Sequence, residues 1–249
     1  MFGIQVQLDI YPQMGVYSLV KGACIMKIYH GSKDIIKQPE YGKGKPHNDY
    51  GLGFYCTEDI EMAKDWSCGE DHDGFANAYE IDLSDLRVLN LNSPEYCILH
   101  WLTVLLKNRQ FRITNPIAKD AREYLLENFT VETDSYDVII GYRADDSYFS
   151  FAEDFLNNAI SVKKLSKAMT LGNLGEQVVL VSKKAFESIK FIGASEAKRS
   201  RYYVLKMKRD KAARSEYLNS DRSYSYSQDE LYMLDIMRQG VKADDVCLR

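Results

Sequence analysis

Between Tyr50 and Cys68 the chain reads YGLGFYCTEDIEMAKDWSC. A glycine-spaced turn (Gly51, Gly53) runs into a short aromatic strand (Phe54, Tyr55, Cys56), and Thr57 opens a helix with no linker between. Thr57 with Glu58 and Asp59 behind it is an expected N-cap, with acidic residues where the helix dipole favours negative charge. Ile60, Ala63 and Trp66 then recur at helical spacing. Glycine on each side of Leu52 allows positive φ or the close approach of a ligand, and an aromatic straight after such a turn is placed to line a cleft. The same residues also read as a plain strand-to-helix turn with a core tyrosine, because a G-x-G match alone is weak.

The 249 residues suit one large domain, or one domain with an appendage. A formal net charge of −4 gives no global basic signature for nucleic acid or an anionic membrane. The five cysteines (Cys24, Cys56, Cys68, Cys97, Cys247) include no C-x-x-C pair, which suggests free thiols in a reducing compartment over a disulfide framework or a zinc site. No apolar run approaches the roughly 18 residues needed to span a bilayer, and the amino terminus lacks a secretory pattern. A cytoplasmic protein without membrane contact or resident metal is expected.

Taken in order, residues 1–24 give no clear element and read as an extension. Ile25–Tyr29 reads as a strand running into His30, Gly31 and Ser32, where a histidine and an open backbone can meet one ligand; a surface turn is the plainer reading. Gln38–Asp49 reads as a mobile polar loop. Acidic residues around His72 read as a solvated loop, since no metal-ligand spacing is defined. Strands are expected over Phe75–Asp82, Leu86–Leu91, Tyr136–Tyr142, Val178–Val181 and Ile189–Ile192. Helices are expected over Glu95–Arg109, Pro116–Asn128 and Ser161–Met169, and the aspartates ahead of Ser147 read as helix-capping. From Glu196 the chain turns polar, Ser220–Ser227 reads as a linker, and Asp229–Met237 as a final amphipathic helix.

Three features fall at strand ends: HGS at His30–Ser32, YGLGFYCT at Tyr50–Thr57, and Glu176–Gln177 ahead of Val178. In order and setting they resemble the ADP-ribosyltransferase superfamily, in the branch marked by histidine, tyrosine and a third, usually acidic, residue. The first two are similar to the poly(ADP-ribose) polymerase pattern of H-G-S followed by F-G-K-G-I-Y-F-A. Over about Met26–Tyr217 the chain resembles a bacterial family of unknown function within that superfamily, through YHGS, YGLGFYCTEDIEMAKDW, YEIDLSDLRVLNL, WLTVLLKNR, YDVIIGYRADDSYF and RDKAARSEYL.

The resemblance implies an α+β fold, a split β-sandwich holding NAD as substrate in the cleft between its sheets. It divides the chain into an extension (1–24), an ADP-ribosyltransferase-like domain (25–217) and a C-terminal linker and helix (218–249). His30 would hold ribose hydroxyls, with Ser32 and Gly53 beside the ligand. Gly31 would offer its backbone to the nicotinamide carboxamide. Tyr55 would stack on the nicotinamide ring and Trp66 would close its other side. These types suit a flat ring with amide groups that need partners.

The third position departs from the pattern. Glu176 and Gln177 are adjacent, so only one can face the cleft. Spacing to Ile189–Phe191 resembles the family better with Gln177 in the catalytic place, although glutamine has no charge to stabilise an oxocarbenium ion. The implied function is mono-ADP-ribosyl transfer from NAD to a macromolecular acceptor, protein or nucleic acid. The alternatives are an NAD glycohydrolase and a weakly active NAD-binding module whose C-terminal tail docks a protein partner.

Overall fold

The computed structural model describes residues 18–20, 23–111, 113, 115–144, 146–170, 175–223 and 230–245. Two four-stranded sheets organise it. The first is antiparallel, in the order β1 (Ser18–Val20), β2 (Ala23–Ser32), β4 (Gly74–Asp82), β8 (Ile189–Ala197). The second runs β3 (Phe54–Cys56), β7 (Glu176–Leu180), β6 (Val138–Tyr142), β5 (Val88–Asn90), antiparallel except for the β5–β6 pair. Neither sheet closes into a barrel. Eight helices complete the described fold: α1 (Ile60–Ser67), α2 (Ile98–Asn108), α3 (Pro116–Asn128), α4 (Asp146–Leu156), α5 (Val162–Thr170), α6 (Lys183–Glu187), α7 (Arg199–Ser223) and α8 (Met233–Gln239). The class is α+β, and among the described residues no helix is long and apolar enough to cross a membrane.

Side-chain alternation explains how the layers meet. Met26 and Ile28 of β2, with Tyr79 and Ile81 of β4, pack against Phe54, Cys56, Val138, Ile140, Val178 and Leu180 of the second sheet. The other face of the second sheet, through Ile139 and Val179, belongs to a larger core with α2, α3, α4, α5 and α8. β6 and β7 are therefore covered on both faces, the physical origin of their unbroken apolar runs. Tyr29 and Thr57 join the sheets by exchanging both backbone hydrogen bonds, at 2.8 and 2.9 Å.

Several boundaries differ from the sequence reading. The α1 N-cap is Asp59, whose side chain accepts from Glu61 N–H at 2.8 Å, while Thr57 is drawn into the bridge with Tyr29. His30, Gly31 and Ser32 lie within β2 instead of following it. The capping role of the aspartates ahead of Ser147 involves Asp145, outside the described residues.

The polar stretch after Glu196 forms α7, a 25-residue helix. Its apolar residues follow no stripe, so it gave no periodic signal, and it is held by specific bonds. Tyr202 donates to Glu61 at 3.0 Å, Arg209 pairs with buried Asp65, and Tyr217 donates to Asp154 at 2.6 Å while stacking on Phe151. α8 is not a peripheral appendage: Met233 and Ile236 are fully buried in the larger core, and Tyr124 O–H donates to the Val241 carbonyl at 2.9 Å.

Candidate functional site

A cleft of about 730 Å³ opens where β2, β3 and the first residues of β7 meet the 33–53 loop and α7. Its volume lies in the range of small-molecule and cofactor sites. Its walls carry five cations (Lys43, Arg109, Arg143, Lys206, Arg214) against three carboxylates (Glu40, Asp49, Asp210). In a chain of net charge −4 this local excess favours an anionic ligand. Lys206, Asp210 and Arg214 recur every fourth residue along α7, so one face of that helix forms a wall.

The cleft brings together His30, Gly53, Tyr55, Trp66 and Gln177. His30 stacks on Phe54 with ring centroids 4.2 Å apart, and its Nδ1 lies 2.7 Å from the Tyr55 carbonyl oxygen. A carbonyl only accepts, so Nδ1 carries the proton. Burial lowers the His30 pKa despite that hydrogen bond. The neutral ring therefore keeps Nε2 as an acceptor, suited to a hydroxyl donor. Tyr55 O–H donates to the Gly51 carbonyl at 2.7 Å and accepts from Tyr50 N–H at 3.0 Å, which fixes its ring. Burial raises its pKa well above the ordinary phenol value. Gly51 has φ +75°, and a Cβ there would lie 2.8 Å from Asn108 Oδ1, so the turn requires glycine.

Trp66 carries the Arg143 guanidinium 4.6 Å over its ring. Its indole N–H is buried with no partner among the described residues. Gln177 is 5% exposed, its Nε2 donates to Asp49 Oδ2 at 3.3 Å, and its Oε1 is buried without a partner. Leaving a buried polar atom unpaired costs about 1–3 kcal/mol, so such a pair of orphans suits a site that a ligand completes. Glu176 is exposed and is not part of the cleft wall.

Gly31 and Ser32 lie off the wall. A Cβ at Gly31 would stand 2.1 Å from the Ala63 carbonyl oxygen, so its Cα packs on α1. Antiparallel alternation turns its N–H and C=O to the edge used by Tyr29 in its bridge to Thr57. Ser32 Oγ donates to the Asp34 carbonyl at 2.7 Å and accepts from Asn77 Nδ2 at 2.9 Å, which ties down the loop after β2. His72 is remote from the cleft, with Nδ1 2.9 Å from the Asp73 carbonyl oxygen. Among the described residues no group of three or more His, Cys, Asp or Glu side chains could hold a metal ion.

Sequence reasoning missed Asp49, Arg109 and Arg143. Asp49 sits in the loop read as mobile, yet it is 5% exposed. Its Oδ2 accepts from Ala144 N–H at 2.9 Å, and its Oδ1 lies 3.2 Å from Arg109 Nε, near enough for an ion pair though not aligned as a hydrogen bond. Burial pushes its pKa up to about 6, against the lowering effects of the Ala144 N–H, Arg109, Arg143 and Gln177. No local pattern announces it, because its partners lie on α2's end, after β6 and on β7.

Fold and cleft thus define an α+β protein with two open sheets and a cation-walled cleft centred on a buried Asp–Gln pair. The chain matches, over residues 26–191, the family described as a protein of unknown function (DUF3990), and it belongs to that family. The matched span takes in every strand from β3 to β7 and most of the cleft, while α7 and α8 lie beyond it. No curated protein and no solved structure matches the chain.

Proposed function

We propose that the cleft binds NAD and that the protein is a mono-ADP-ribosyltransferase, cleaving the nicotinamide glycosidic bond and passing ADP-ribose to a macromolecular acceptor. One observation carries this reading: His30, Tyr55, Trp66 and Gln177, far apart in sequence, line a single cleft rich in cations. Neutral His30 offers an acceptor to ribose hydroxyls. The Tyr55 and Trp66 rings offer apolar faces to the nicotinamide. Lys206 and Arg214 on α7, with Lys43, suit the pyrophosphate. Gln177 Oε1 is the acceptor available to the ribose 2′-hydroxyl, whose orientation favours charge development at the anomeric carbon.

The test is nicotinamide release from NAD, followed by transfer of labelled ADP-ribose to lysate that is then digested separately with protease and nuclease. Release with label retained on a digestible acceptor supports transfer and identifies the acceptor class. Release without label on any macromolecule supports the glycohydrolase alternative. NAD binding without release leaves the binding-module alternative.

A further inference from the structure

Gln177 stands where a charged residue is expected for this chemistry, and the structure places a charge directly behind it. We infer that Asp49 is the positioning carboxylate of the site: it turns the Gln177 amide so that the oxygen faces a bound ribose hydroxyl, and it supplies the negative charge that glutamine lacks. The inference rests on reading the cleft as an NAD site.

The geometry leaves the amide one arrangement. An ionised carboxylate only accepts, so the Gln177 atom 3.3 Å from Asp49 Oδ2 must be the NH₂ group. Oε1 then points away from Asp49, buried and without a partner among the described residues. Asp49 cannot swing aside without losing the Ala144 N–H at 2.9 Å and the Arg109 ion pair at 3.2 Å. A charge-assisted donor bond polarises the amide and makes its oxygen a better acceptor.

The step this serves is heterolysis of the bond between the ribose anomeric carbon and the nicotinamide nitrogen. The bonding pair leaves with nicotinamide, which departs neutral, and the positive charge passes to the ribose as an oxocarbenium ion. The acceptor's nucleophile then bonds that carbon and gives up its proton. A negative charge one amide away from the 2′-hydroxyl stabilises the cation without a carboxylate touching the sugar.

The charged and titratable groups around Asp49 are Arg109 at the end of α2, Arg143 after β6, Tyr55 on β3 and Tyr50 in its own loop. Burial raises both phenols, so near neutral pH neither titrates beside it. Asp49, pushed up to about 6, is the group that ionises in the working range.

The experiment measures nicotinamide release from NAD against pH for wild type, Asp49→Asn, Gln177→Glu and the double variant, with thermal melts as folding controls. Wild-type kcat is expected to rise with a midpoint near 6. Asp49→Asn should lower kcat at least about tenfold, shift KM far less and abolish the rising limb. Gln177→Glu puts a second carboxylate against Asp49, so the limb should move to higher pH, because two adjacent carboxylates resist ionising together. The double variant moves the charge from position 49 to 177 and should recover most of what Asp49→Asn loses.

An Asp49→Asn enzyme with wild-type kcat and an unchanged limb overturns the inference, as does a folded double variant no better than Asp49→Asn. Should Asp49→Asn not fold, the Gln177 side-chain amide resonance in the wild type decides instead: a shift with midpoint near 6 supports the pair, and a pH-independent signal overturns it. A wild type that releases no nicotinamide overturns the NAD reading and this inference with it. Release by a wild type whose Asp49→Asn variant is unaffected removes only the inference.

Discussion

Asp49→Asn should stabilise the fold at neutral and alkaline pH, and the size of the effect follows from the site. The carboxyl pKa rises from 3.8 to about 6 because burial penalises the ionised form more than Arg109, Arg143 and its hydrogen bonds favour it. Below about pH 4 the group is protonated in both folded and unfolded chains and contributes nothing. Between about pH 4 and 6 the unfolded chain loses its proton first, so stability falls as pH rises; above that range the full penalty applies. At about 1.4 kcal/mol for each pKa unit, the penalty is about 3 kcal/mol. Asparagine keeps the shape and one acceptor and removes the charge. For a chain of this length 1 kcal/mol moves the melting temperature by about 2–4 °C, so the variant should melt roughly 6–12 °C higher near pH 8 and little changed near pH 4. Scanning calorimetry at both pH values is the assay. A variant less stable than wild type near pH 8, or one with the same gain at both pH values, would refute the electrostatic reasoning. A gain in stability paired with a loss of turnover is the expected mark of a residue held in place for function.

Three further outcomes follow. Gln177→Ala should lower nicotinamide release by two orders of magnitude or so, whereas Glu176→Ala should change it little, since Glu176 is exposed off the cleft; single-turnover kinetics decides, and the reverse ranking would contradict the assignment. Lys206→Glu with Arg214→Glu should weaken NAD binding roughly tenfold at low ionic strength and less in high salt, measured by calorimetry; a salt-independent loss would point to altered packing. Met233→Ala should destabilise the protein by about 2–4 kcal/mol in urea titration, because Met233 is fully buried in the larger core; a change under about 0.5 kcal/mol would return α8 to the status of an appendage.

The sequence was legible where physical pattern is local. β2 and β4 alternate because one face of each packs on the second sheet, and α3 matches its expected bounds because Asn115 caps it and Pro116 starts it. β6 and β7 were equally visible, but being buried on both faces they lacked the alternation that would tell which of Glu176 and Gln177 points inward. α7 left no stripe because its contacts are a few tyrosines and an Arg209–Asp65 pair, not an apolar seam. α8 was legible as an amphipathic helix, and Met233 and Ile236 are buried in the larger core with Leu231 and Met237 packed against it, but no local pattern says which core a terminal apolar face joins. Asp49 was hidden for a different reason. Its environment is assembled by Ala144, Arg109 and Gln177, which no window around residue 49 contains.

The most direct measurement is nicotinamide release when the purified protein is incubated with NAD, wild type beside Gln177→Ala. The account predicts steady release by the wild type and release near background for the variant, with both chains folded. No release by a folded wild type, or equal release by both chains, would contradict it.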